Sequence, residues 1–440
     1  MATSWGEEQT GAAALPSAHS PAAHRDRWSF IFLVAFGVVV YTIPSAWIEG
    51  LAWLRPALLT SALAAGLMVL RRIGKAEPFI LDGRRGLALL GFVALCAAST
   101  AWSIAPEVSR TTGNDLIKLA AIYFTLINVV TTPKRLMVFC GAIVIASMVT
   151  SVGVIQWYLS GEDLVEGYRG RWHGVYADPN HMAMDVGLIV PLAVAFVGRR
   201  KNPMWLRTIC VIAAALAVTA VVFSHSRGGF IGLCVGMVIW ALRENRRLKS
   251  LLFAGAFAIG LLIFAPSSFW ERNETVTTFD QDLSALGRVH AWEVAAGISR
   301  DHPVVGVGAG GFRYAWPLYA PPEATTAFVA HNIFLDVVAE VGWVGMLLFM
   351  IFMASAVGGV FAAGRHPEIG WLAKGLAAAS ALYLTCDLFS GYILSAHLYM
   401  LCGLAACAAR IAMAPQTAEA QLPRRVYSAP TVGLPEGGAA

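Results

Sequence analysis

Apolar runs long enough to cross a bilayer recur along nearly the whole chain. A helix needs about 20 residues to span the hydrocarbon core, and the hydropathy pattern predicts about twelve such helices. The predicted spans are 29–47, 52–70, 86–103, 114–131, 136–158, 182–198, 206–224, 228–242, 250–266, 333–362, 371–389 and 394–412. The tenth is longer than one crossing needs, and Gly342 and Gly345 favour a break within it. The predicted fold is therefore an all-α, polytopic membrane protein.

A stretch in the second half of the chain, residues 267–330, contains no apolar run of membrane length. It carries the segments GRVHAWEVA and HPVVGVGAGGF and leads into AHNIFLDVVAEVGWVG. We expect one large loop with short helices here, between helices 1–9 (29–266) and helices 10–12 (331–413). The two ends of the chain, 1–28 and 414–440, are rich in small and polar residues and in proline, and they are predicted to be disordered tails.

Composition supports the membrane assignment. Of the 440 residues 57% are hydrophobic and only 13% are charged, whereas soluble domains carry about 25% charged residues. All seven cysteines fall within apolar runs and none shows CxxC spacing. The cysteines therefore indicate neither a disulfide framework nor a zinc site, and we expect them to pack as small hydrophobic side chains.

The placement of cationic residues predicts the orientation of the helices. Most of the 32 Lys and Arg residues fall on the side of the two chain ends, which are therefore expected to be cytoplasmic. The large loop then lies on the outer face. The basic residues predicted on that face are Arg55, Arg110, Lys118, Arg169, Arg171, Arg227, Arg272, Arg288, Arg300 and Arg313. Most histidines fall there too, which indicates an anionic ligand.

The segment SHSRGGF places Arg227 at the predicted start of a helix and at the membrane edge. A helix N-terminus disfavours a cation, and charge at the membrane boundary is costly. An arginine under both penalties favours a nearby anion. The alternative is a side chain that extends to the interface with no ligand.

The loop GYRGRWHGVYADPNHMAMD carries Arg169 and Arg171, which could bind phosphate or sugar or could be solvated loop charges. Asp178 followed by Pro179 predicts a helix cap. This cap explains Asp178 without a metal, so no metal site is predicted from its proximity to His181.

In GRVHAWEVA, Arg288 and Trp292 are four residues apart and share one face of a predicted helix, where they could contact phosphate and sugar. The alternative is an ordinary surface helix. The nearby glycines match GxGxxG, but the flanking sequence predicts no βαβ unit. A tight turn, without nucleotide binding, is therefore expected there.

His331 begins the segment HNIFLDVVAE, in which Asn332, Asp336 and Glu340 form a polar stripe at helical spacing. A histidine at the membrane boundary near several arginines is a candidate general base. Asn332 is a candidate substrate contact, and the two carboxylates are expected to orient helices. Lys118 is a further candidate contact, although a local ion pair with Asp115 explains it equally well.

Four segments in this order resemble the O-antigen ligase and polysaccharide polymerase superfamily of bacterial envelopes. They are DPNHMA, SRGGFIGL, GRVHAWEVA with HPVVGVGAGGF, and HNIFLDVVAEVGWVG. The resemblance covers about residues 85–400 and is tightest over 224–345. By position it implies that Arg227 and Arg288 bind a diphosphate and that His331 acts near it, while Arg171 is a looser match.

The resemblance also implies a reaction and its partners. We expect an enzyme of the bacterial inner membrane that works without metal or cofactor. It would move a glycan from undecaprenyl diphosphate to a sugar hydroxyl on the periplasmic face, for lipopolysaccharide or surface polysaccharide. Expected partners are the lipid-linked donor, a glycan or lipid A-core acceptor, membrane lipids and other envelope polysaccharide assembly proteins. No nucleic acid is expected.

Alternatives remain open at this stage. The acceptor could be lipid A-core, as in a ligase, another repeat unit, as in a polymerase, or a protein. A glycolipid transporter or flippase is a different class, but the two halves show no evident repeat and the polar residues gather on one face. Displacement of a diphosphate by a hydroxyl group favours a single inverting step, with arginines on the leaving group and histidine on the proton.

Overall fold

The computed structural model describes residues 26–263, 283–322, 324 and 326–414. Their regular structure is helical, and no β-strand occurs among them. The helices up to residue 263 are α1 (Arg27–Thr42), α2 (Pro44–Trp47), α3 (Pro56–Gly74), α4 (Gly83–Ala98), α5 (Pro106–Val129), α6 (Pro133–Ser160), α7 (Pro179–Gly187), α8 (Ile189–Gly198), α9 (Met204–Phe223), α10 (Arg227–Arg243) and α11 (Arg247–Ile263). The later helices are α12 (Leu283–Asp301), α13 (Phe312–Tyr319), α14 (Ile333–Ala363), α15 (Gly370–Ser390) and α16 (Ala396–Met413).

Eight helical segments within the described residues are long and apolar enough to cross a membrane. They are Leu51–Gly74, Gly83–Ala101, Pro133–Ser160, Pro179–Gly198, Met204–Phe223, Ile333–Ala363, Gly370–Ser390 and Ala396–Met413. The other predicted spans are also helical, but α1, α10 and α11 have 16, 17 and 17 residues, and α5 carries Asp115 and Lys118. The all-α polytopic prediction is confirmed, whereas the count of twelve crossings is not.

Glycines allow α10 to approach α15 closely. A Cβ atom added at Gly232 would lie 2.5 Å from Sγ of Cys386, and one added at Gly236 would lie 3.0 Å from Cβ of Leu382. Real Cβ atoms do not come this close without a shift of the neighbour, so larger residues would push the helices apart. The N-terminus of α10, which carries Arg227, is thus fixed by packing along the helix.

The predicted break in the tenth span is confirmed at Gly342, whose φ is 67° and ψ is −172° within α14. Helical hydrogen bonds are lost here, and the segment HPVVGVGAGGF replaces them. Pro303 O accepts from Trp343 N at 2.8 Å, while Glu340 O accepts from Gly308 N at 2.8 Å. Ala339 O also accepts from Val307 N at 3.1 Å. The glycine-rich segment therefore satisfies the backbone that the break exposes.

The tight-turn prediction for this glycine-rich segment agrees with its geometry. Gly306, Gly308 and Gly310 have φ values of 65°, 101° and 75°, which side chains other than glycine rarely adopt. A Cβ atom at Gly306 would lie 2.3 Å from the backbone carbon of Glu340. These glycines serve the close packing of loop against helix.

The described part of the predicted loop contains α12 and α13. They pack into a small apolar cluster of their own, which includes Val294, Ile298, Phe312 and Trp316 and reaches Ala339 of α14. Arg272 and nearly all of the predicted tails lie outside the described residues, so the predicted domain boundaries stay predictions.

Candidate functional site

The SHSRGGF segment forms the turn between α9 and α10. Ser226 caps α10, because its Oγ accepts a hydrogen bond of 3.2 Å from Gly229 N. His225 before it is buried and has a φ of 51°, a left-handed conformation that non-glycine residues adopt at some cost. Arg227 is the first residue of the helix, as predicted.

Arg227 and Arg288 line the same small pocket, although they come from different helices. Its other lining residues are Asn180, Ser226, Gly228, Phe389 and Ser390. The pocket thus joins the starts of α7 and α10, the loop helix α12 and the end of α15. Two arginines from different helices therefore share the wall of one pocket, an arrangement that suits an anionic group.

His331 lies in the turn before α14, with a φ of 50°. Burial and, next in size, the charge of Arg288 lower the pKa of its imidazole to about 4; His181 and Arg169 act in the same direction, and Asp178 opposes them. The histidine is therefore neutral near pH 7 and can accept a proton. Its electrostatic neighbours include Arg288, one of the two arginines of the small pocket.

Asn332 and Trp292 hold the turn around His331 in place. Oδ1 of Asn332 caps α14 by accepting from Phe334 N at 2.9 Å, and Nδ2 donates to Leu388 O at 3.2 Å. Nε1 of Trp292 donates to Ala330 O at 3.1 Å. Both residues stay predicted substrate contacts, and these hydrogen bonds also fix the backbone next to His331.

Arg169 is buried and ties the surrounding loops together. Its Nε donates to Ser224 O at 3.1 Å, and its Nη2 donates to Oδ1 of Asn180 at 2.8 Å. Nη1 also lies 3.7 Å from Glu166. Arg169 therefore connects its own loop to the turn before α10 and to α7, and it lies close enough to His331 to act on its charge.

Two further predicted contacts lie apart from this cluster. Arg171 pairs with Asp163 in its own loop and donates to Ala177 O. Lys118 lies 2.8 Å from Asp115, and both side chains are largely exposed. Lys118 lines a different, mostly apolar groove, beside Arg55, so the local ion pair that the sequence left open is present.

Asp178 caps α7, as predicted. Its Oδ1 accepts from Asn180 N at 2.8 Å and from His181 N at 3.0 Å. Burial by itself would raise the pKa of Asp178, but His181, these two N–H groups and Arg169 outweigh it and hold the pKa below its usual range. Among the described residues no group of His, Cys, Asp and Glu side chains is placed to hold a metal ion.

A cavity of about 380 Å³ adjoins this region, and sequence reasoning missed it. Its polar lining residues are Asp178, His181, Asp185, Tyr392, Ser395 and His397. The rings of His181 and Tyr392 stack with centroids 5.5 Å apart. Asp178 and His181 of this lining and Arg288 of the small pocket all act electrostatically on His331.

A buried polar network lies behind this cavity. Nδ1 of His397 lies 3.1 Å from Oδ2 of Asp185, and its Nε2 lies 2.9 Å from the hydroxyl of Tyr176. Tyr383 donates to Oδ1 of Asp185 at 3.1 Å. His397 and Asp185 are far apart in the chain, so no spacing pattern could have indicated this pair.

Comparison with known proteins agrees with this arrangement. Residues 212–350 match the family model described as O-antigen ligase, a range that includes Arg227, Arg288 and His331. The chain is also 24% identical over 313 residues to the exopolysaccharide production protein ExoQ of Rhizobium meliloti, which covers 64% of this chain and 68% of that protein.

These similarities bear out the resemblance to the O-antigen ligase and polysaccharide polymerase superfamily that the ordered motifs carry. The matched range contains Arg227, Arg288 and His331, and the helices around them form a multi-pass membrane protein.

Proposed function

We propose that this protein transfers a glycan from undecaprenyl diphosphate to an acceptor sugar hydroxyl, at the outer face of the bacterial inner membrane. The observation that supports this most is the convergence of Arg227 and Arg288 on one pocket, with His331 beside Arg288. The reaction needs charge stabilisation on a departing diphosphate and removal of one proton, and these residue types supply both.

The bonds change in one inverting step. The acceptor hydroxyl oxygen attacks the anomeric carbon, the bond from that carbon to the diphosphate oxygen breaks, and its electron pair leaves with the diphosphate. His331 takes the hydroxyl proton and later releases it to water. Arg227 and Arg288 bind the diphosphate as forked donors.

In this reaction the donor and the acceptor lie on different sides of His331. The donor diphosphate occupies the arginine side, and the acceptor sugar occupies the cavity lined by Asp178, His181 and Tyr392. Carboxylate, imidazole and phenol groups suit sugar hydroxyls. The low pKa of free His331 makes it a weak base, but a bound diphosphate opposes the positive charge of Arg288 and so raises that pKa towards neutrality.

Similarity to an exopolysaccharide production protein favours a repeat unit as acceptor, and hence a polymerase. The O-antigen ligase description of residues 212–350 favours lipid A-core. Reconstitution with an undecaprenyl-diphosphate glycan and each acceptor distinguishes them, because a polymerase gives a ladder and a ligase shifts lipid A-core in size. Movement of lipid between leaflets without any new product would instead support a flippase.

Substitutions test the chemistry. His331→Ala should abolish transfer and leave donor binding intact, and His331→Asn should do the same while tolerating the left-handed backbone. His302→Ala, at an exposed position on the same side, is the control and should retain activity. Turnover at the wild-type rate in His331→Ala would refute the base assignment.

For the arginines, Arg227→Lys and Arg288→Lys should lose most activity, because lysine cannot make the forked contact. Arg300→Lys provides a matched control, since Arg300 lies exposed at the far end of the same helix as Arg288. An equal loss in Arg288→Lys and Arg300→Lys would show that Arg288 has no special role.

A further inference from the structure

A second polar cavity lies at the opposite end of α10 from Arg227. It has a volume of about 860 Å³ and lies where α8 and α10 end, α11 begins, α14 ends and α15 begins. Helix α10 has 17 residues, so the cavity is about 25 Å from the candidate site along the helix. The two sites therefore lie at opposite ends of α10, which the hydropathy and charge patterns predict to cross the membrane.

The lining of this cavity is strongly cationic. Its charged and titratable side chains are Arg243, Glu244, Arg246, Arg247, Arg365, His366 and Lys374. The carboxylate of Glu244 lies 3.4 Å from Lys374, which leaves the arginines in clear excess. Arg365 also acts as a like charge on Arg243. An excess of positive charge is usual on the cytoplasmic face. That excess alone does not require arginines from α10, α11 and the α14–α15 connection to line one cavity.

Two buried donors in the lining have no hydrogen-bond acceptor among the described residues. They are Nε of Arg243 and Nε1 of Trp240. Arg243 is held against α14, where its guanidinium donates to Phe361 O and lies 4.7 Å from the Phe361 ring centroid. Buried donors without acceptors are costly, and both belong to residues that line the cavity.

An exposed apolar surface adjoins the cavity. Helix α11 starts at the cavity, packs chiefly on α10 and buries only Ala254 and Leu261. Leu248 and Leu252 are 73% and 65% exposed. Trp240 lies at the junction, since its ring is 6.2 Å from that of the half-exposed Phe253. Such a surface suits hydrocarbon chains.

We propose that this cavity binds the phosphate headgroup of an anionic phospholipid, whose acyl chains lie along α11. The phosphate oxygens accept from the arginines of the lining, and the chains cover the exposed leucines. A free phosphate would use the cations but would leave this apolar surface unexplained. Basic pockets between helices bind anionic headgroups in this way in other membrane proteins.

The test is lipid binding to the purified full-length protein in detergent, measured by native mass spectrometry. Phosphatidylglycerol is titrated against phosphatidylcholine, and inorganic phosphate is added as a competitor. Arg247→Gln/Arg365→Gln removes two exposed charges of the cavity. The control is Arg27→Gln/Lys134→Gln, which removes two exposed charges away from the cavity. The positive-inside pattern predicts that these two residues lie on the same membrane face as the cavity.

We expect wild type and control to prefer phosphatidylglycerol and the cavity variant to bind it about tenfold more weakly. Lipid with brominated acyl chains should also quench tryptophan fluorescence of the wild-type protein. In Trp240→Phe that quenching should be smaller. Equal binding of the two lipids, equal weakening in both variants, or displacement of the lipid by millimolar phosphate would each overturn the proposal. None of these measurements depends on glycan transfer, so they stand apart from the proposed function.

Discussion

The carboxylate of Glu340 accepts a hydrogen bond of 2.7 Å from the backbone N–H of Gly310. A second, longer bond of 3.5 Å comes from the N–H of Phe312. Glu340 is buried, so it fastens the glycine-rich segment to α14 just before the break at Gly342.

Glu340→Ala should therefore destabilise the protein by about 1–3 kcal/mol, because it leaves buried N–H groups without their acceptor. Thermal unfolding in detergent measures the loss. Glu368→Ala, at an exposed position, is the control and should stay within about 0.5 kcal/mol of wild type. A similarly small change in both variants would contradict the anchoring role of Glu340.

Gly342→Ala should destabilise the fold by at least about 2 kcal/mol, because its φ of 67° disfavours any side chain. The added Cβ would also lie 2.2 Å from the carbonyl oxygen of Val304. Gly358→Ala in the same helix meets nothing within 4 Å and should be neutral or stabilising by about 0.5–1 kcal/mol. Unfolding temperatures of the two variants give the comparison, and equal shifts would argue against the need for glycine at the break.

His331 should make stability depend on pH in the acid range. Its pKa is lowered to about 4 in the folded protein from an ordinary value of about 6.5. The neutral form is favoured by folding, so its contribution is complete above about pH 6.5 and is lost as pH falls towards 4.

His331→Asn removes this titration while keeping a residue that tolerates the left-handed backbone. The stability difference between wild type and variant should fall by up to about 3 kcal/mol between pH 7 and pH 4. Chemical unfolding at several pH values measures it. A difference that does not change with pH would show that the His331 pKa is not lowered.

The same pKa predicts separate acid limbs in the kinetics. The limb of kcat/KM reports the free enzyme and should lie near pH 4, whereas the limb of kcat reports the substrate complex. Because the bound diphosphate opposes Arg288, the limb of kcat should lie at higher pH. Coincident limbs would contradict a base that the substrate activates.

Asp185 and His397 should be energetically coupled. Their side chains are buried and 3.1 Å apart, so a double-mutant cycle of Asp185→Asn and His397→Gln should give a coupling energy of about 1–3 kcal/mol. Denaturant unfolding of the two single variants and the double variant measures it. Strictly additive losses would mean that the two residues stabilise the protein independently.

Local patterns in the sequence predicted much of this molecule. Apolar runs located the helices, a glycine in a long apolar run located the break at Gly342, and capping chemistry located Asp178 at the start of α7. The placement of Arg227 at the first residue of α10 followed from a short motif. Each of these features depends on residues within one or two helical turns.

Features that depend on distant parts of the chain were not predictable. The Asp185–His397 contact joins α7 to α16, and the buried role of Arg169 depends on Ser224 and Asn180. Asn332 shows the same limit, because its polar character was evident but its two partners, the start of α14 and Leu388 on α15, were not. A single sequence indicates which residue types are available and leaves their partners open.

The break at Gly342 determines where the bilayer can begin. Residues 343–363 form the continuous part of α14 beyond the break, and 21 helical residues span about 31 Å, the thickness of one hydrocarbon core. The segment that carries Asp336 and Glu340 then lies at headgroup depth, together with His331. A lipid-linked diphosphate would meet these residues without leaving the plane in which its own phosphates already lie.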